Sequence, residues 1–163
     1  MNTTIRFREE IGLDRPNMNL EFPFMGGCLC GALRYQCAEA PAMVLCCHCT
    51  DCQRRTGSAF GITVSVKSKS FRVLQGVTTS WLSIRQSGNK LLFQSCAICG
   101  TRCWGDLPDI PASTLILGGT LDNATSLKPN AHIYTGTKQP WVSIPDNIYS
   151  SEDKPDWHKV FSS

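Results

Sequence analysis

Ten cysteines in a chain of 163 residues constrain its fold more than any other feature. Such a content indicates either disulfides in an oxidising compartment or bound metal in a reducing one. Charged side chains recur through residues 1–23, and no apolar run there resembles a secretory signal peptide. We therefore expect a cytoplasmic protein whose thiols stay reduced, so that bound metal explains the cysteines better than disulfides do.

The spacing of the cysteines supports metal binding. One residue separates Cys28 from Cys30, and one residue separates Cys47 from Cys49. A disulfide within either pair would be strained, whereas two thiolates at this spacing bind one zinc ion without strain. Disulfides remain the alternative, and they would require a secreted form of the protein.

Two of the cysteine pairs predict a closed metal site. Cys28 and Cys30 form the first pair, Cys96 and Cys99 form the second, and a glycine follows each pair. Glycine lets the backbone turn tightly, so that its amides can face the sulfurs. Four thiolates complete the tetrahedron of a zinc ion and leave no position for a substrate. This zinc is predicted to be structural.

The third cluster predicts an open metal site. Cys47, Cys49 and Cys52 lie within six residues of the chain. Three protein ligands and one open position characterise a catalytic zinc. The alternative is a fourth protein ligand from elsewhere in the chain, and its candidates are Cys37, Cys46, Cys103, His48 and His132.

The charge of this site indicates the kind of substrate it would accept. Three thiolates on one divalent ion leave a charge of −1, which favours a soft incoming ligand such as a substrate thiol. Arg54 and Arg55 follow the cluster directly. A guanidinium group there could offset the negative charge or bind a substrate carboxylate. We predict a substrate contact for Arg54, whereas a plain surface position is an equal alternative for Arg55.

The apolar pattern predicts a mainly β fold. Short apolar runs alternate with turn residues, which favours a compact single domain of antiparallel sheets clamped by the four-cysteine zinc. Helix is expected only as short turns, such as residues 51–56 closed by Gly57. Residues 1–24 are predicted as a polar N-terminal extension, 25–145 as the zinc-binding domain and 146–163 as a C-terminal tail. The apolar runs cover residues 32–37, 43–47, 60–66, 71–74, 78–84, 91–96, 114–117 and 132–135.

Charge and hydropathy exclude two classes of partner. Sixteen Lys and Arg against thirteen Asp and Glu give a formal net charge of +3, and no basic stretch interleaves with aromatic residues. We therefore expect no nucleic-acid partner. No apolar stretch approaches the length of a membrane span, so no membrane partner is expected either.

Five segments together resemble a known family. They are residues 27–31, 47–58, 96–101, 119–122 and 132–141. Their cysteine motifs, in this order, resemble those of the glutathione-dependent formaldehyde-activating enzymes, a family that also includes centromere protein V. The resemblance implies a compact, mainly β fold with a structural and a catalytic zinc in each chain.

The resemblance also implies site residues and an activity. Cys28, Cys30, Cys96 and Cys99 match the ligands of the structural zinc, and Cys47, Cys49 and Cys52 match those of the catalytic zinc. The implied reaction joins glutathione to formaldehyde and forms S-hydroxymethylglutathione. Such an enzyme is classed as a carbon-sulfur lyase, because the reverse reaction breaks the carbon-sulfur bond. The alternatives are a zinc enzyme of the same fold acting on another small electrophile, and a zinc-stabilised binding module without catalysis. A homodimer is compatible with each alternative.

Overall fold

A computed structural model of the chain describes residues 22–85 and 88–162. The described residues form a mainly β structure with two short helices, as the sequence predicts. The predicted N-terminal extension lies almost wholly outside them. The strands are β1 Phe24–Gly27, β2 Arg34–Cys37, β3 Met43–Cys47, β4 Gly61–Lys67, β5 Phe71–Gln75, β6 Thr78–Ile84, β7 Lys90–Cys96, β8 Arg102–Asp106, β9 Ser113–Leu117, β10 Ala131–Ile133 and β11 Tyr149–Ser151, and the helices are α1 Thr50–Thr56 and α2 Trp157–Ser162.

The strands form two sheets. A small sheet has the order β1-β2-β5, and an eight-stranded sheet has the order β11-β10-β3-β4-β9-β8-β7-β6. Most neighbours are antiparallel, as predicted, but β10 runs parallel to both β3 and β11. Parallel strands need a long connection, and the chain between β3 and β10 passes through six other strands. The parallel register places Ile133 opposite Cys47, so that the ends of β3 and β10 meet.

The main core lies where the two sheets pack together. Its centre is a group of three aromatic rings from β2, β5 and β8. The Tyr35 ring centroid lies 5.3 Å from that of Phe71 and 6.0 Å from that of Trp104. Two of the predicted metal ligands, Cys28 and Cys96, are buried in the same cluster. The first predicted metal site therefore borders the core directly.

A second core cluster covers the other end of the large sheet. It combines side chains of β3 and β10 with Val160 of α2, which is 1% exposed. Residues 146–163, predicted as a tail, thus supply a strand and a core side chain. The predicted domain boundaries themselves stay predictions.

The local predictions agree with most of the elements. Each of the eight apolar runs overlaps a strand. Helix α1 ends at Gly57, which has φ 64° and donates its amide to the Gln53 carbonyl at 2.9 Å. Strands β1, β8 and β11 were not predicted. Strand β8 lacks an alternating pattern, and its hydrogen bonds to β7 and β9 on either side stabilise it instead.

Gly26 provides a test of how closely the small sheet packs. A Cβ atom at Gly26 would lie 2.5 Å from the Thr120 carbonyl oxygen and closer still to the Tyr35 hydroxyl. We expect Gly26→Ala to lower the free energy of unfolding by about 1–3 kcal/mol, because the core cannot accept the added volume. Chemical denaturation measures the effect.

The matched control is Gly119→Ala, where an added Cβ meets nothing within 4 Å. Its free energy of unfolding should stay within about 0.5 kcal/mol of the parent. Equal denaturation midpoints for the two variants would contradict the described packing.

Candidate metal centres

The first sulfur group joins the two cysteine pairs. The sulfur atoms of Cys28, Cys30, Cys96 and Cys99 all lie within 4.8 Å of one another. The Cys28 and Cys30 sulfurs are 3.5 Å apart, and those of Cys30 and Cys96 are 3.9 Å apart. A regular tetrahedron with metal–sulfur bonds of about 2.3 Å has edges of about 3.8 Å. The group therefore fits one tetrahedrally bound ion.

The backbone around this group follows the predicted turns. Gly31 and Gly100 have φ angles of 78° and 73°, in the left-handed region that glycine adopts without strain. The turn after the first pair directs the Leu33 amide to the Cys28 sulfur at 3.2 Å. An N–H donor to sulfur stabilises the thiolate, the form that binds metal.

The second sulfur group consists of Cys47, Cys49 and Cys52, whose sulfurs also lie within 4.8 Å of one another. Cys47 ends β3, Cys49 caps the start of α1, and Cys52 lies in the first turn of that helix. The Cys52 amide donates to the Cys49 sulfur at 3.4 Å. Within residues 22–85 and 88–162, no ligand atom of a fourth His, Cys, Asp or Glu joins this group.

The five residues considered as a fourth ligand lie elsewhere. His48 Nε2 and His132 Nδ1 are 2.9 Å apart in a buried pair, and burial lowers the pKa of His48 to about 4. Both rings are therefore neutral and hydrogen-bonded to each other. Burial raises the pKa of the Cys37 thiol, raises that of Cys46 to about 11 and raises that of Cys103 to about 12. These three residues therefore remain buried thiols.

The proximity of the three sulfurs favours a bound cation. Hydrogen bonds from the thiols of Cys47 and Cys52 lower the pKa of Cys49 to about 2. Hydrogen bonding with Cys49 and Cys52 raises the pKa of Cys47 far above its usual value. Three neighbouring thiolates repel one another, and a bound cation would compensate their combined negative charge. An all-sulfur donor set fits a thiophilic ion such as zinc.

Hydrogen bonds from α1 and from the segment after β10 hold His48, the residue between Cys47 and Cys49. Gln53 Nε2 donates to the His48 carbonyl at 2.8 Å, and Thr137 Oγ1 donates to the same oxygen at 3.0 Å. Gln139 Nε2 in turn donates to Gln53 Oε1 at 2.9 Å. Such second contacts fix the orientation of metal-binding side chains. They give residues 132–141, quoted above as part of the resemblance, a structural role at this site.

Arg55 contacts the three-cysteine group. Its Nη2 atom donates to the Cys52 sulfur at 2.9 Å, whereas Arg54 is exposed on α1. The predicted substrate contact of Arg54 stays a prediction. Residues three apart lie on the same face of a helix, so the spacing of Cys52 and Arg55 was a signal that the sequence analysis did not use.

Two further arginines meet Arg55 at a small pocket beside Cys52. The volume of this pocket that the centre of a water molecule can occupy is about 20 Å³. Arg55 and Arg102 place their guanidinium carbons 4.9 Å and 4.6 Å from the ring centroid of Phe93. The Nε atoms of Arg85 and Arg102 are shielded from solvent and have no hydrogen-bond partner among residues 22–85 and 88–162. Sequence reasoning missed both, because Arg85 is far from every cysteine motif in the chain and Arg102 follows the motif of the other sulfur group, that of Cys96 and Cys99.

Tyr134 is a third residue that sequence reasoning missed. It follows β10 directly, with φ 57°, a left-handed conformation that costs a non-glycine residue about 1–2 kcal/mol. Burial and then the negative charges of the Cys47 and Cys49 sulfurs raise the pKa of its phenol. Backbone strain of this kind concentrates at functional sites.

The fold and the two sulfur groups define a mainly β protein that could bind two metal ions. The family model of the glutathione-dependent formaldehyde-activating enzymes matches residues 23–137, and the chain belongs to this family. The resemblance found in the sequence is thereby confirmed. Membership supports an enzymatic function related to formaldehyde and glutathione.

A solved structure is similar to the chain, and no curated protein matches it. The crystal structure of a Rhodobacter sphaeroides protein, a target of the Northeast Structural Genomics programme, is similar with 22% sequence identity and a TM-score of 0.47. The similarity covers 61% of this chain and 88% of that protein. A comparison with curated proteins found no match. None of the described helices is long and apolar enough to cross a membrane.

The two sulfur groups should respond differently to mutation. We expect Cys96→Ser to lose one metal ion per chain and to unfold or melt at a much lower temperature, since a structural zinc supplies on the order of 10 kcal/mol of folding free energy. Cys49→Ser should lose one ion and keep its β structure. Metal analysis and circular dichroism measure both effects.

Cys46→Ala is the matched control, because Cys46 adjoins Cys47 in the chain but lies outside both sulfur groups. This variant should retain two ions. Retention of both ions by Cys96→Ser or Cys49→Ser would show that the sulfur groups do not bind metal as proposed.

Proposed function

We propose that the chain is a zinc-dependent enzyme that forms or breaks the bond between a thiol sulfur and an aldehyde carbon, as in S-hydroxymethylglutathione. The observation that carries the proposal is the three-sulfur group, to which the described part of the chain adds no fourth ligand. Membership of the glutathione-dependent formaldehyde-activating family supports glutathione and formaldehyde as substrates. In the reverse direction the enzyme is a carbon-sulfur lyase, and its free thiols suit the cytoplasm.

The reaction needs no oxidant or reductant. An electron pair of the thiol sulfur forms the new bond to the aldehyde carbon, and the carbonyl π electrons move to oxygen. The thiol proton ends on that oxygen as a hydroxyl group. A zinc ion bound by Cys47, Cys49 and Cys52 would supply a positive centre that favours the thiolate form of the substrate.

The residues of the chain position and stabilise this site. The Arg55 guanidinium donates to the Cys52 sulfur and so reduces the excess negative charge of three thiolates. The contacts of Gln53 and Thr137 with the His48 carbonyl hold the loop that carries Cys47 and Cys49. The site is therefore arranged before substrate binds, which reduces the cost of bringing two reactants together.

The four-cysteine group is proposed to bind a structural zinc. It joins the turn after β1 to the end of β7, and thus links the small sheet to the large one. Cys28 and Cys96 also lie in the main core. Loss of this ion would separate the sheets near their packed centre, whereas loss of the other ion would leave the core intact.

The proposed activity has a direct test. Exchange NMR with labelled formaldehyde measures how fast the adduct with glutathione forms above the spontaneous rate. We expect the parent protein to accelerate exchange and Cys49→Ser to return it to the spontaneous rate, because that variant cannot hold the second zinc. Cys46→Ala should remain active.

Two results would contradict this function. One is acceleration in Cys49→Ser equal to that of the parent protein. The other is an aldehyde reaction whose rate does not depend on glutathione or on any other thiol, since the proposed bond requires a thiol sulfur.

A further inference from the structure

We propose that Arg55, Arg85 and Arg102 form a binding site for a carboxylate group of the substrate, beside the three-cysteine metal group. The inference rests on the proposed function, since it names the substrate chemistry of that site. The pocket that these arginines line also contains Cys52, one of the three sulfur residues. An anion in the pocket would therefore lie beside one of the three residues proposed to hold the metal.

The first argument is the unmet hydrogen-bonding capacity of the arginines. In the part of the chain that the structure describes, no carboxylate forms an ion pair with Arg55, Arg85 or Arg102. Arg102 donates Nη1 to the Arg55 carbonyl at 3.1 Å, but its Nε, like that of Arg85, is buried without an acceptor. Buried donors without acceptors are unfavourable, so a ligand that accepts hydrogen bonds would be stabilised there.

The second argument is the local charge. Three guanidinium groups contribute +3, and three thiolates with a divalent ion contribute −1, so the loaded site carries a net charge of about +2. The guanidinium groups of Arg55 and Arg102 lie over the same ring, that of Phe93, and burial, followed by the charge of Arg55, lowers the pKa of Arg102. A bound anion would relieve this repulsion.

The third argument is the size and lining of the pocket. The centre of a water molecule can occupy about 20 Å³ of this pocket, which is sufficient for one or two water-sized groups. Apolar side chains, including Leu91, Leu115 and Leu117, form the remaining wall. A flat, two-oxygen carboxylate matches both this narrow space and the forked donors of arginine.

Two substrates could supply the carboxylate. One is the thiol, since glutathione carries two carboxylates. The other is an aldehyde acid such as glyoxylate, in which the carboxylate is bonded directly to the aldehyde carbon. Both share the chemistry that the pocket recognises, and a binding experiment distinguishes them.

The experiment uses the zinc-loaded protein in buffer without carboxylates. Isothermal titration calorimetry measures the Kd of glyoxylate, of glutathione and of glycolaldehyde, a neutral aldehyde of similar size. The variants are Arg85→Gln, Arg102→Gln and Arg102→Lys. The control is Arg72→Gln, because Arg72 is exposed on β5 of the other sheet.

We expect Arg85→Gln and Arg102→Gln to weaken binding of at least one anion by about ten- to a hundredfold, the effect of losing a charge-assisted contact. Arg102→Lys should restore part of the affinity, since it keeps the charge. Glycolaldehyde binding and all Arg72→Gln values should remain unchanged. Thermal melting confirms that each variant is folded, and Arg85→Gln alone decides the question if Arg102→Gln does not fold.

The outcomes show whether the carboxylate belongs to the aldehyde or to the thiol. They also distinguish failure of the carboxylate site from failure of the proposed function. Weaker binding of glyoxylate alone assigns the site to an aldehyde acid, and weaker binding of glutathione alone assigns it to the thiol. Unchanged binding of both anions overturns the carboxylate site even if the enzyme is active. Arginine-dependent binding without any thiol–aldehyde turnover supports the carboxylate site and contradicts the proposed function.

Discussion

The convergence of seven thiol sulfurs into two groups is the constraint on which the rest of the structure depends. Thiols cannot be crowded and deprotonated together without a cation, because each new thiolate raises the pKa of its neighbours. Binding of a metal ion by these groups would therefore be coupled to folding. The four-sulfur group borders the main core, so its ion would fasten the two sheets where their apolar side chains meet.

The position of the second group follows from an unusual pairing in the large sheet. Strand β10 lies parallel to β3, and this brings the segment after β10 against the loop that carries Cys47 and Cys49. Hydrogen bonds from Gln53 and Thr137 then hold that loop. On the other side, arginines from α1, β8 and the end of β6 converge near Cys52. The three-cysteine group is thus held on one side by the segment after β10 and faces positively charged arginines on the other.

Local sequence patterns were sufficient to predict much of this arrangement. Cysteine spacing indicated both sulfur groups, the apolar runs indicated eight strands, and Gly57 marked the end of α1. The parallel pairing of β10 and the central position of β8 depend on contacts between distant segments, which local patterns do not contain. The positions of Arg85 and Arg102 beside Cys52 could not be predicted for the same reason. Arg55 could have been preferred to Arg54, because helical periodicity places it on the face of Cys52.

X-ray absorption at the zinc edge of the intact protein tests the central claim most directly. Two zinc ions, one with four sulfur ligands and one with three, predict an average of about 3.5 sulfurs and about half of one lighter ligand per zinc. Sulfur ligation with two zinc ions per chain and a lighter atom in the remaining position would support the account. Four sulfurs around every zinc, or a single zinc per chain, would contradict it.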